Sequence, residues 1–267
     1  MEPVSVLLPA CNEEGAIAQV LRAIREVVPA AEIIVIDDGS TDRTGEIARA
    51  EGARVLSHAL TVGAGKSVKD GIEAASFDRI VMLDSDGTYP VDRIPDVLAE
   101  LDRGFDLVIG ARRGKYYRGS FPKFAARTVF RFLAQFATGK RIPDINSGMR
   151  AFRRSTVLSY FPRLCNGFSL PTTMTLSFLF TGRTVCYVPI EYAKRIGRSK
   201  VRIVRDTLRT LQYITESIAY YNPTKLFLLL ALLSVLIGVI GGLLLDVQLV
   251  FIGLMIGVLV FAMGVRK

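Results

Sequence analysis

Short apolar runs alternate with stretches of helical period through the amino-terminal half of the chain. Residues 4–8, 33–36, 80–83 and 107–109 are apolar with at most one interruption, and 54–56 is a weaker run. Runs this short and this continuous suit strands buried on both faces, as parallel strands are. Between the first two, Ile17, Val20, Leu21, Ile24, Val27 and Val28 fall on one helical face. Ile72 and Ala75 mark a second helix, and Ile94, Val97, Leu98 and Leu101 a third. Alternation of this kind predicts an α/β fold, a doubly wound sheet whose site lies at the carboxyl ends of its strands.

The pattern changes after Asn222. Residues 226–245 are twenty positions without a charge, and after Asp246-Val247-Gln248 residues 249–265 add seventeen more. Twenty helical residues span about 30 Å, the thickness of a bilayer core, and seventeen lie at the short end of the spanning range. The expectation is a transmembrane helical hairpin. Lys225, Arg266 and Lys267 flank the two runs while the turn has no basic residue, which predicts both termini in the cytoplasm. The start, MEPVSVLLPACNEE, has no basic stretch before its apolar run, so no signal peptide is expected. Each run carries a glycine pair at spacing four, Gly238/Gly242 and Gly253/Gly257, compatible with close helix contact in a dimer or tetramer.

Composition narrows the class. The chain has 267 residues, net charge +9 and mean hydropathy +0.35, with the apolar excess concentrated after Asn222. Cys11, Cys165 and Cys186 have neither zinc spacing nor a paired framework, as expected in a reducing compartment. A basic chain with two apolar spans points to a membrane surface and away from nucleic acid.

Acidic clusters follow the strand ends: Pro9-Ala10-Cys11-Asn12-Glu13-Glu14, then Asp37-Asp38-Gly39-Ser40-Thr41-Asp42, then Asp84-Ser85-Asp86-Gly87. Carboxylates two apart in extended chain project to one side, so Asp84 and Asp86 can share a hard cation such as Mg²⁺ or Mn²⁺. Such a cation would bridge diphosphate oxygens and neutralise charge on a departing nucleotide. Gly63-Ala64-Gly65-Lys66-Ser67 invites a P-loop reading, but the glycine required five residues before Gly65 is Leu60. Lys66 remains a candidate phosphate ligand.

The segments PACNEE, VIDDGSTD, GAGKSVKDGIEAA, LDSDGTYP, GARR, DINSGMRAFRR and RIGRSKV, in order over residues 3–201, resemble the family 2 glycosyltransferases. Within that family they are most similar to the polyprenyl-phosphate (dolichyl-phosphate) glycosyltransferases. The resemblance implies a GT-A fold of Rossmann-like type, an inverting reaction and a metal-bound nucleotide diphosphate sugar, UDP- or GDP-linked. By that similarity Pro9, Cys11, Glu13, Ile36 and Asp38 would hold base and ribose, Asp84, Ser85 and Asp86 the metal and diphosphate, and Arg112 the acceptor phosphate. Three positions depart from the family pattern. Cys11 replaces a usual Tyr, Thr88 stands where many relatives carry a metal-assisting Gln, and Lys194-Arg195-Ile196-Gly197-Arg198-Ser199-Lys200 varies the late basic motif. Arg195 and Lys200 are the favoured phosphate ligands there.

The acceptor is expected to be a lipid phosphate. Residues 107–143 hold nine Lys or Arg and no acid, with Phe121, Phe124, Phe132 and Phe136 interleaved among Lys123, Arg127 and Arg131. An amphipathic basic helix over about 120–138 suits a membrane interface. A second basic stretch, 194–209, leads through Tyr213, Tyr220 and Tyr221 to the first span. A hydroxyl acceptor wants a general base, whereas a phosphate monoester, with a second pKa of about 6, needs cationic positioning. Asp144 is the spare carboxylate for a base or a sugar contact. The chain is thus read as a catalytic domain over 1–198, a juxtamembrane helix over 199–223 and two spans over 224–267. Two other readings are a membrane polysaccharide synthase acting on a sugar hydroxyl and a non-catalytic scaffold. The absence of tryptophan, and with it of the Gln-x-x-Arg-Trp motif, weighs against the synthase.

Overall fold

The computed structural model describes residues 2–118, 121–197, 203–244 and 247–265. Seven strands form one sheet: β1 Ser5–Ala10, β2 Glu32–Asp37, β3 Arg54–Ser57, β4 Arg79–Met82, β5 Leu107–Arg113, β6 Arg150–Arg153 and β7 Val185–Glu191, in the order β3-β2-β1-β4-β6-β5-β7. All neighbours are parallel except β6, which runs antiparallel to both β4 and β5. The carboxyl ends of β1, β2, β4, β5 and β7 therefore share one edge, and the amino end of β6 meets them there. The chain reverses direction about β1, between β2 and β4, which opens a crevice at that edge.

Helices cover both faces. They are α1 Ile17–Val27, α2 Thr44–Ala50, α3 Ala64–Ala74, α4 Ile94–Asp102, α5 Lys115–Arg118, α6 Phe121–Thr138, α7 Arg154–Leu158, α8 Leu170–Phe180 and α9 Ile203–Tyr221. Alternation along β1 shows the two-sided burial. Val6 and Leu8 join the α1 and α4 side chains in one cluster, while Leu7 faces Val68 and Ile72 of α3 in the other. The helix positions expected from periodicity are core: Ile17, Leu21, Ile24, Ile72, Ile94, Val97 and Leu101 are all fully buried.

The sequence reading missed β6 and β7. The arginines at both ends of the Arg-Ala-Phe-Arg run obscure β6, and Pro189 interrupts the donors of β7, which the sheet tolerates because β7 is its edge strand. It also missed α8, whose buried residues include Thr172, Thr173, Thr175 and Ser177. A third cluster, built from Phe130, Ala134, Leu176, Ile214 and Ile218, binds α6, α8 and α9 together beside the sheet.

Two apolar helices follow, α10 Pro223–Leu244 and α11 Gln248–Val265. Among the described residues one helix, α10, is long and apolar enough to cross a membrane, and α11 is shorter. Its 18 residues rise roughly 27 Å, at the short end of the spanning range, as the seventeen-residue run leads one to expect. The glycine pairs serve the contact between these helices. A Cβ on Gly238 would meet the Gly253 Cα at 2.7 Å, and one on Gly257 the Ala231 carbonyl at 3.0 Å. Lys225 ties α10 to the catalytic fold, its ammonium donating to the Phe136 and Ala137 carbonyls at the end of α6, 2.9 and 3.1 Å away.

Candidate active site

The loops at the shared strand edge are locked to one another before any ligand is considered. Asn12, at φ +51°, accepts from the Thr41 amide at 2.7 Å, and the Glu13 amide donates to Thr44 Oγ1 at 2.7 Å. Ser85 Oγ donates to the Pro9 carbonyl at 2.9 Å, joining the β1 and β4 ends. Thr88 donates to Asp86 Oδ1 from both its amide and its hydroxyl, 3.1 and 2.5 Å. Thr88 thus orients Asp86 and faces neither cavity.

Two cavities open at this edge, of about 410 and 370 Å³. The smaller is bounded by Cys11, Glu13, Asp38 and Ser85, the larger by Arg112, Arg127, Arg131 and Asp144. Pro9, Asp84, Asp86 and Arg195 border both, so the carboxylate pair stands where the cavities meet. Burial and then the neighbouring Asp86 push the Asp84 carboxyl up to about 6. Arg195 bonds Glu13 and approaches Asp86 Oδ2 to 3.1 Å. Among the described residues no group of three or more His, Cys, Asp or Glu side chains could hold a metal. Two carboxylates, one poorly solvated beside the other, fit a divalent cation that brings its remaining oxygen ligands from a bound diphosphate. They do not fit a cation caged entirely by protein.

The Asp144–Gly148 turn passes so close to the carboxylate pair that its last position takes glycine: a Cβ on Gly148 would lie 2.6 Å from Asp84 Oδ1. The same turn carries Asp144, which Arg112 grips with its planar fork. Nε donates to Oδ2 at 2.7 Å, Nη2 to Oδ1 at 3.0 Å, and the Arg112 amide adds a third bond at 3.2 Å. Burial alone would raise the Asp144 carboxyl, but Arg112 and these hydrogen bonds hold it below its ordinary range. Burial likewise opposes the Arg112 charge, and Asp144 outweighs it. Tyr117 and Tyr192 flank the guanidinium at 5.0 and 5.4 Å. One edge of Arg112 is therefore committed to Asp144, although its side chain borders the larger cavity beside Asp84.

Other expected residues are placed differently. Ile36 is fully buried in the core and touches neither cavity. Lys66 turns away onto Asp70, four residues along α3. Asp38 borders the smaller cavity but accepts from the Val62 and Gly63 amides at 2.8 and 3.0 Å and contacts His58. Lys200 and the Lys123 side chain lie outside the described residues. Sequence reasoning missed Arg150, fully buried, which donates to the Ile145 and Ser147 carbonyls and Thr175 Oγ1 and so shapes the Asp144 turn. It also missed Arg205, Arg209 and Tyr213 of α9 as cavity residues, having assigned that stretch to the membrane.

Comparison with known proteins agrees with this geometry. The dolichyl-phosphate hexose transferase of Haloferax volcanii is 33% identical over 202 residues, covering 75% of this chain and 87% of that protein. The undecaprenyl-phosphate 4-deoxy-4-formamido-L-arabinose transferase of Salmonella choleraesuis is 30% identical, covering 96% of this chain and 78% of that one. Among solved structures, glucosyl-3-phosphoglycerate synthase from Mycobacterium tuberculosis superposes with TM-score 0.68 at 24% identity, over 81% of this chain and 80% of that one, which shows a GT-A-like fold. The family model described as glycosyl transferase family 2 matches residues 5–161. With the carboxylate pair at the meeting point of two cavities, the chain belongs to glycosyl transferase family 2 and is a glycosyltransferase.

Proposed function

We propose that the protein transfers a sugar, with inversion, from a UDP- or GDP-sugar to a polyprenyl phosphate at the cytoplasmic face of the cell membrane. The product would feed cell-envelope glycan or glycoconjugate synthesis. The observation that carries this reading is the pair of cavities meeting at Asp84 and Asp86, one edged by acids and loop backbone, the other by arginines and aromatic rings. The relatives named above carry polyprenyl-phosphate acceptors in their names, and a related solved structure holds Mn²⁺ and UDP.

In this reading the smaller cavity takes the nucleotide against Pro9, Cys11, Glu13 and Asp38, and Asp84 and Asp86 present the carboxylate oxygens for Mg²⁺ or Mn²⁺. A cation there supplies Lewis-acid neutralisation of the diphosphate. The larger cavity takes the acceptor phosphate. Arg127 and Arg131 supply charge from α6, and Arg112, stiffened by Asp144 and two tyrosine rings, fixes the wall nearest Asp84. An acceptor oxygen attacks the anomeric carbon, the bond to the diphosphate oxygen breaks, and its electron pair leaves with the nucleotide. No proton needs removal from an ionised phosphate, and Asp144, held as a carboxylate by Arg112, is not offered as a base.

The membrane seating is part of the proposal. Phe124 and Phe132 on α6, the helix whose far end Lys225 ties to α10, are 51% and 58% exposed and suit the headgroup layer. Both α10 and α11 are read as embedded, with the catalytic domain and both termini cytoplasmic. The deciding experiment incubates the purified full chain with a polyprenyl phosphate and a panel of UDP- and GDP-sugars, with and without chelator. A lipid-linked sugar, formed only with metal, is expected. Transfer to a sugar hydroxyl in preference to the lipid phosphate would overturn the acceptor assignment.

A further inference from the structure

Three residues of α9 stand four apart, Arg205, Arg209 and Tyr213, and so form a single stripe along the helix. That stripe borders the 370 Å³ cavity, which Cys11, Asp38 and Ser85 line from the sheet edge. The adjacent stripe, Val204 and Leu208, is 74% and 61% exposed and faces away from the fold. The rotation of α9 is fixed by a buried hydrogen bond between Ser169 and Thr210, 2.7 Å, and by Tyr213 packing on the core cluster beneath the sheet. The two arginines are therefore held over the cavity by the fold.

The charge around the cavity gives them a task. Glu13, Asp38, Asp84 and Asp86 all border it, and this acidic rim repels a nucleoside diphosphate. Arg195 is engaged by Glu13 and Asp86, and Asp38 by His58 and two backbone amides. Arg209 makes no hydrogen bond or ion pair with any described residue, and Arg205 only a half-exposed contact of 3.4 Å with its neighbour Asp206. We propose that Arg205 and Arg209 are donor-site residues: they hold the diphosphate of the nucleotide-sugar from α9, so that the helix leading into the membrane span closes the nucleotide cavity. This rests on the reading of that cavity as the nucleotide site. A guanidinium suits the role because its fork bonds two phosphate oxygens at once.

The test measures UDP and GDP binding, each with Mn²⁺, by calorimetry on the full chain in neutral-lipid nanodiscs. Arg205→Gln/Arg209→Gln is compared with wild type, with thermal unfolding to show that the variant is folded. Loss of charge-assisted bonds should weaken nucleoside diphosphate binding by about 10-fold or more. Binding of UMP or GMP should weaken less, and Arg209→Lys should recover part of the loss. Equal nucleoside diphosphate binding by wild type and double variant would overturn the proposal while leaving the cavity assignment standing. A wild type that binds neither UDP nor GDP would remove the cavity assignment itself, and the proposal with it.

Discussion

Arg112 and Asp144 should behave as one unit, and a double-mutant cycle tests it. The side chains are 14% and 3% exposed, and they share two side-chain bonds of 2.7 and 3.0 Å. Asp144→Asn keeps the shape and removes the charge, leaving a buried guanidinium without its counter-ion. Such a loss costs about 3–5 kcal/mol in a buried pair. Here the Tyr117 and Tyr192 rings and the Asn146 carbonyl remain on Arg112, so about 2–3 kcal/mol is the working figure. Arg112→Lys keeps the charge but cannot reproduce the fork, and should cost about 1.5–3 kcal/mol. At roughly 2–4 °C per kcal/mol for a domain of this size, each single variant should melt about 3–12 °C lower. The double variant should lose less than the sum, with a coupling of at least about 1 kcal/mol. Because the native Asp144 carboxyl lies below its ordinary 3.8, the pair's stabilisation is present above that value and is lost as pH falls further. The gap between wild type and Asp144→Asn should therefore stay constant from pH 5 to 8. Thermal unfolding of the detergent-solubilised proteins supplies the measurement. Strictly additive losses, or a gap that closes by pH 6, would refute the reasoning. Transfer activity should fall with the same variants, because the pair forms the cavity wall beside Asp84.

Further outcomes follow from the same site. Chelator should abolish transfer and Mg²⁺ or Mn²⁺ restore it, and Asp84→Asn or Asp86→Asn should lose at least ~100-fold in rate. Full activity in chelator would falsify the metal assignment. Mn²⁺ affinity, read by titration calorimetry, should drop as pH falls through about 6, where Asp84 takes up a proton in competition with the cation. Gly148→Ala places a methyl 2.6 Å from Asp84 Oδ1 in a buried turn, so metal affinity should weaken and the crowding should lower the melting temperature by about 2–12 °C; unchanged affinity would show that the turn can yield. Accessibility labelling should find both termini cytoplasmic and only the turn near Val247 outside, and an external carboxyl terminus would rule out the hairpin topology.

The parallel strands and their flanking helices were legible in the sequence because burial on both faces writes itself as continuous apolar runs, and helical period survives between them. The acidic clusters were legible for a related reason: they follow strand ends, and parallel strands bring their carboxyl ends to one edge. By itself the sequence thus determined the α/β class, the family resemblance and the carboxylate pair. It could not determine partners. That Arg112 is clasped by Asp144, that Lys66 turns onto Asp70 and that Thr88 stands behind Asp86 depend on side-chain directions across 32, 4 and 2 residues of chain. Strands β6 and β7 were hidden by charged ends and a proline that only an assembled sheet accommodates. The stripe of Arg205, Arg209 and Tyr213 has the periodicity of any amphipathic helix. That it borders the 370 Å³ cavity was decided by the Ser169–Thr210 bond and the α6–α8–α9 cluster, long-range contacts that set the rotation of α9.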